Sequence, residues 1–269
     1  MRARIASLGM YVAASQEAAN DSIWAAIAPV LRDHGVAYVP ERLDRRRPVQ
    51  DVWRDPDLLF GQICGFPLVS NPTLGLRIIG MPIYDAPECA DGMHRSLIVT
   101  RQGDARRVED YRGRRVAIND RGSNTGMNLL RAAVLPHVRK GRFFGDVIET
   151  GAHRRSIAAI LRSEADIAAI DAITYAAVLR AEPELARTLQ IIATTAAAAT
   201  PPFVTARGTD AATIAALQAA LAEVIADPAL ADARRALFLT DIVAGGADRY
   251  RPLLALQDDA IAAGYPTLR

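Results

Sequence analysis

The chain has 269 residues, 51% hydrophobic and 23% charged, which is enough for one large domain or two smaller ones with real cores and excludes global disorder. A net charge of +2 supplies no electrostatic footprint for nucleic acid or an anionic membrane, and the Arg45-Arg46-Arg47 cluster beside Asp44 and Pro48 reads as a solvated loop. Two distant cysteines, Cys64 and Cys89, and four histidines without ligand spacing argue against a metal centre, and no cofactor is expected.

Met1 to Gly9 holds two arginines but lacks the apolar run of a secretory signal. Arg4 to Leu8 reads as a strand, and Asn20 or Asp21 then caps a helix with Ile23, Trp24, Ile27, Val30 and Leu31 on its apolar side. Pro29 is expected to kink that helix, and Gly35 follows its end. A strand is expected at Val36 to Val39, a short helix from Asp55 and Pro56, a turn at Ile63 to Pro67, and buried strands at Leu76 to Tyr84 and Ser96 to Arg101.

From Arg115 the pattern alternates regularly: strand to Asn119, helix Met127 to Val138, strand Asp146 to Thr150, helix Arg154 to Ser163, strand Asp166 to Asp171, helix Thr174 to Leu179. Short β-α-β-α connections of this kind imply a mostly parallel sheet flanked by helices. The Ala-rich run from Ile191 to Val204 is interrupted by Thr and Pro, so nothing approaches a membrane span. Asp210 caps a long helix that stops near Pro228, and the remainder reads as mostly helical, with a break at Gly245-Gly246. A single doubly wound sheet fits this order. The apolar strand at Leu97 to Val99 and a second crossover near Phe203 to Ala206 suggest instead two Rossmann-like α/β lobes, residues 1–97 with 204–269 and residues 98–203, joined by two crossovers.

Ligands of open α/β sheets sit at the carboxyl ends of strands. Four such ends carry informative residues: Met10-Tyr11, Gly65-Phe66-Pro67, Ser123-Asn124-Thr125 and Asp171, and His153 opens the helix after the Asp146 strand. Ser123, Asn124, Thr125 and Gly126 are either plain helix caps or an anion cradle, in which free backbone N–H groups and hydroxyls surround oxyanion oxygens. His153 can donate to such an oxyanion. Asp171 is either a cap or, facing the ligand, a carboxylate for an ammonium or hydroxyl group, since it would repel the anionic end. Tyr11, Phe66 and Tyr84 have the size of ligand platforms and of core aromatics alike. Ser123, His153 and Asp171 are the residue types of a hydrolase triad, but no G-x-S-x-G elbow is present, and neither a Walker A loop nor G-x-G-x-x-G occurs.

The segment Arg114 to Gly126, Gly151-Ala152-His153 with Ser156 to Ile160, and Ala165 to Asp171 resemble the second lobe of phosphonate-type ABC transporter substrate-binding proteins, which have the type II periplasmic-binding-protein fold. Met10-Tyr11, Trp53 to Leu59, Cys64 to Leu68 and Tyr84 to Pro87 extend the similarity over nearly the whole chain. The resemblance implies that Ser123, Asn124, Thr125 and Gly126 hold an anionic group beside His153, with Asp171, Tyr11, Phe66 and Tyr84 shaping the rest. Phe66 replaces a usual Tyr, and Met127 a common aromatic. The resulting expectation is a solute-binding protein for a small phosphonate-, phosphate- or sulfonate-like anion. It would not be an enzyme, would serve an ABC permease and would bind neither nucleic acid nor insert in a membrane. Its alternative is a cytoplasmic enzyme or sensor on the same fold, favoured by the missing signal segment where the family is periplasmic.

Overall fold

In the computed structural model, which describes residues 4–269, the chain begins with β1 (Ile5–Ser7), α1 (Ala14–Asp33), α2 (Val49–Arg54), β2 (Leu58–Gln62), α3 (Gly65–Ser70) and β3 (Arg77–Tyr84). The expectation that Met1 to Gly9 holds no secretory signal falls partly outside these residues. There follow β4 (Cys89–Ala90), β5 (Met93–His94), β6 (Ser96–Arg101), β7 (Arg115–Ile118), and a π-helical turn (Asn124–Asn128) that continues as α4 (Leu129–Val134). Next come β8 (Asp146–Glu149), α5 (His153–Leu161), β9 (Ile167–Asp171), α6 (Ala172–Ala181), β10 (Leu189–Thr194) and β11 (Ala198–Ala199). The last elements are β12 (Phe203–Thr205), α7 (Ala211–Ala226), α8 (Ala231–Ala236), β13 (Leu239–Val243) and α9 (Pro252–Ala262).

Two compact units result. The first comprises residues up to Asp85, Ala90–Gly92 and Thr200–Arg249; the second comprises Ala86–Cys89, Met93–Ala199 and Tyr250–Arg269. These boundaries differ from the expected ones in that the last twenty or so residues go with the second unit. Residues there are anchored to it: Asn128 Nδ2 donates to the Leu253 carbonyl at 3.2 Å, Arg131 Nη1 to that of Pro266 at 2.6 Å, and the Phe143 and Phe144 amides to the Arg269 oxygen. Tyr250 and Tyr265 are fully buried. The chain therefore passes between units again after Arg249, beyond the two crossovers expected.

The first unit's sheet runs β1-β2-β12-β3-β13, with β1 and β2 parallel and the other pairs antiparallel. Its core includes Ile5, Val52, Leu58, Ile63 and Val204, and Phe60 stacks between Trp24 and Phe203. The second unit's sheet runs β10-β6-β9-β7-β8; β8 and β9 lie parallel to β7, whereas β6 and β10 run antiparallel. Its core joins Leu97, Val99, Ala117, Ile157, Ile160, Ile170 and Val178, each Leu, Val or Ile side chain contributing roughly 1.5–3 kcal/mol on full burial. The mostly parallel arrangement expected holds between β1 and β2 and over β7 to β9, where the connections are short crossovers; β6 and β12 enter their sheets after a passage from the other unit and run against their neighbours.

Other local readings change for identifiable reasons. Helix α1 starts six residues before Asn20, at Ala14, because the Gln16 side chain accepts from the Ala13 N–H at 3.3 Å, while Asn20 is buried and donates to the Tyr11 carbonyl at 2.9 Å. The helix continues through Pro29. Val36 to Val39 forms turns rather than a strand, with Gly35 and Tyr38 at positive φ. Residues after Pro56 enter the fully buried strand β2 rather than a helix, and Gly65 to Ser70 is helical. The Ala-rich run contains the end of β10, and the tail contains the strand β13, which pairs with β3. Among the described residues no single helix is long and apolar enough to cross a membrane.

Candidate functional site

The loop after β7 is built by its own polar groups. Asp120 accepts from the Gly122 amide through Oδ1 and from the Ser123 amide through its carbonyl, which turns the chain. Ser123 caps the helix, its Oγ accepting from the Gly126 N–H at 3.1 Å, and its carbonyl accepts from the Asn128 N–H five residues on, which gives the first turn its π winding. The amides of Asn124 and Thr125 lie in that first turn, where the helix offers no acceptor. Ser123, Asn124 and Thr125 are all buried, and Asn124 Nδ2, in a residue 1% exposed, has no hydrogen-bond partner. Such a donor is costly to leave unsatisfied.

Gly126 is required by close approach. A Cβ there would lie 1.8 Å from Asn119 Oδ1 and 3.1 Å from His153 Cε1. His153 starts α5 and reaches Thr125, with Nε2 at 3.0 Å from Oγ1. The turn that presents it is braced by Thr150, whose Oγ1 donates to the Ile118 carbonyl at 3.0 Å and lies 2.7 Å from Ser156 Oγ, and by Gly151 at φ +82°. Burial of the ring pushes the His153 pKa below its ordinary 6.5; the negative charge of Asp171 and the Ala169 carbonyl oppose this, and His94 adds to it. His153 is thus a neutral imidazole at pH 7.

Asp171 closes β9 and caps α6, Oδ1 accepting from the Thr174 N–H at 3.0 Å. Its Oδ2 lies 3.1 Å from His94 Nδ1. Burial alone would raise its pKa, but the close His94 contact, the electrostatic influence of the two imidazoles and the Thr174 amide outweigh it, and the net shift is downward. Asp171 is therefore ionised and engaged.

The structure brings Ser123, Asn124, Thr125, Gly126, His153 and Asp171 into one region of the second unit. Tyr11 and Tyr84 meet in the first unit, edge to face at 5.9 Å, where Gln62 Nε2 donates to the Tyr84 hydroxyl at 2.8 Å and to the Pro201 carbonyl at 3.0 Å. Phe66, also in the first unit, is buried in the first turn of α3. Three residues of the second-unit cluster are not singled out from the sequence: His94, Asn119, and Ser96, whose Oγ donates to the Thr125 carbonyl at 2.8 Å. The signal for His94 and Ser96 is strand register, since Ser96 pairs directly with Asp171. Among the described residues no group of three or more His, Cys, Asp or Glu is placed to hold a metal.

Two mixed α/β units with strands exchanged after each crossover, and a polar loop opening a helix at a strand end, define the type II periplasmic-binding-protein class. Solved structures of that fold align over nearly the full chain. A binding-protein component of an ABC phosphonate transporter from Pseudomonas aeruginosa superimposes with a TM-score of 0.75 at 16% identity, covering 97% of this chain and 89% of that one. PhnD1 from Prochlorococcus marinus, in complex with methylphosphonate, gives 0.74 at 11% identity, covering 96% and 98%. A Xanthomonas citri protein bound to ATP gives 0.70 at 15%, covering 97% of each chain. No curated protein sequence matches. The family model for the ABC transporter phosphonate periplasmic substrate-binding protein matches residues 75–250, and the chain belongs to that family.

Proposed function

We propose that this solute-binding protein captures a small phosphorus oxyanion at the Ser123–Gly126 turn and delivers it to an ABC permease. The observation that carries this reading is the buried, unpartnered Asn124 Nδ2 in a helical first turn whose amides also lack intrahelical acceptors. A tetrahedral oxyanion is the ligand such a set of donors satisfies, with Thr125 Oγ1 and His153 adjoining it. Methylphosphonate and ATP, held by the two structural neighbours, share that phosphorus oxyanion chemistry. On the same reading binding involves no bond making.

Thermal denaturation with methylphosphonate, inorganic phosphate and a sulfonate tests it. A ligand at a hundred times its Kd stabilises the native state by about 2.7 kcal/mol, which for a chain of this size raises Tm by roughly 5–10 °C. Absence of any shift with millimolar phosphorus oxyanions refutes the assignment.

A further inference from the structure

Among the described residues Asp171 is the sole buried carboxylate, at 3% exposure. A ligand ammonium taken out of water needs such a group or a full set of neutral acceptors. Asp171 is already committed on both oxygens: Oδ2 to His94 Nδ1 at 3.1 Å, and Oδ1 to the Thr174 amide at 3.0 Å as the cap of α6. His94 is itself 1% exposed, held in β5 by pairing with Ala198, so it is fixed against the carboxylate. An ammonium approaching Asp171 would have to displace an imidazole that cannot leave for solvent and an amide that belongs to a helix start. Three further buried groups in this cluster, Thr125, Ser123 and Asn124, are neutral.

We propose, resting on the phosphonate-binding reading above, that the protein selects phosphorus oxyanions with an uncharged organic substituent and discriminates against aminoalkyl phosphonates, with the His94–Asp171 pair as the cause. Ethylphosphonate and 2-aminoethylphosphonate differ at the point of interest by a terminal amino group and make a matched pair. Titration calorimetry of the full chain at pH 7.5 is expected to show ethylphosphonate binding at least tenfold more tightly. Equal or tighter binding of 2-aminoethylphosphonate overturns this proposal and leaves the phosphonate reading standing; no binding of either overturns both. In His94→Gln, folded as judged by circular dichroism, the carboxylate loses its imidazole partner and the preference should shrink at least threefold. An unchanged ratio in that folded variant refutes the role given to His94.

Discussion

His153→Gln removes one buried imidazole and leaves an amide within reach of Thr125, so the comparison with wild type isolates a single titration. The native pKa of His153 lies below 6.5, with burial as the leading cause. In the unfolded chain the same ring takes up a proton near pH 6.5. Between those two values the unfolded state binds more protons than the native one, and stability rises with pH. Lowering the pH through 6.5 therefore destabilises wild type through this residue, with a limiting slope of about 1.36 kcal/mol per unit for one proton. From pH 7.5 to 5.5 the limit integrates to about 1.3 kcal/mol, or roughly 3–5 °C in Tm for a chain of this length. Scanning calorimetry of both proteins without ligand, across that range, should give a steeper acid-side decline for wild type than for His153→Gln. His34, His94 and His137 are common to both chains, and their contributions cancel to the extent that they are independent of His153. Parallel curves would show that His153 is not held neutral by its surroundings, and the electrostatic account of the Thr125–His153 pair would fail with it.

Two further substitutions probe the frame around the site. Gly126→Ala drives a methyl group against Asn119 Oδ1 and the His153 ring; we expect destabilisation of about 1–3 kcal/mol by overpacking and at least tenfold weaker oxyanion binding, read by thermal melts and calorimetry. Asp166→Asn breaks a paired contact in which Arg115 donates through Nη2 at 2.7 Å, Nε at 3.1 Å and its backbone amide at 2.9 Å. The Arg115 hydrogen bond is the leading cause holding the Asp166 pKa below its usual value, so its stabilisation is complete above the unfolded carboxylate value of roughly 3.9 and is lost as pH falls through the lower native one. Solvent access keeps the effect near about 1 kcal/mol. The gap between wild type and variant in urea unfolding should be constant from pH 5 to 8 and close in stronger acid; a gap that persists there counts against the ion pair.

What could be read along the chain follows from how local each signal is. The Ala117 to Gly126 segment carries its own strand, turn and cap chemistry, and the helix at Asp210 carries its own cap, with Asp210 Oδ1 accepting from the Thr213 amide at 2.7 Å. Both are legible because the deciding contacts lie within a few residues. Helix α1 was not, since Ala13 has no capping side chain and the Gln16 contact that replaces it has no distinctive spacing. The strand β13, Leu239 to Val243, carries no period-two alternation, and its pairing with β3 depends on residues some 160 positions earlier. The docking of the Tyr265 to Arg269 tail onto the second unit likewise rests on Arg131 and Phe143, which no local pattern links to it.

Asp171 shows why the candidate site was only partly legible. A carboxylate at a strand end admits two uses, helix cap and ligand contact, and nothing in the neighbouring residues chooses between them. The choice is made by His94, which is far away in the chain and reaches Asp171 because β6 pairs with β9 in the register that sets Ser96 opposite Asp171. A slip of that register by one residue would turn the side chains to the opposite face and separate the pair. The specificity argued for this site thus resides less in the residue types of the loop than in one strand alignment. A relative that kept the Ser-Asn-Thr-Gly turn but replaced His94 with a side chain too short to reach the carboxylate would leave its strand-end aspartate open to a ligand ammonium.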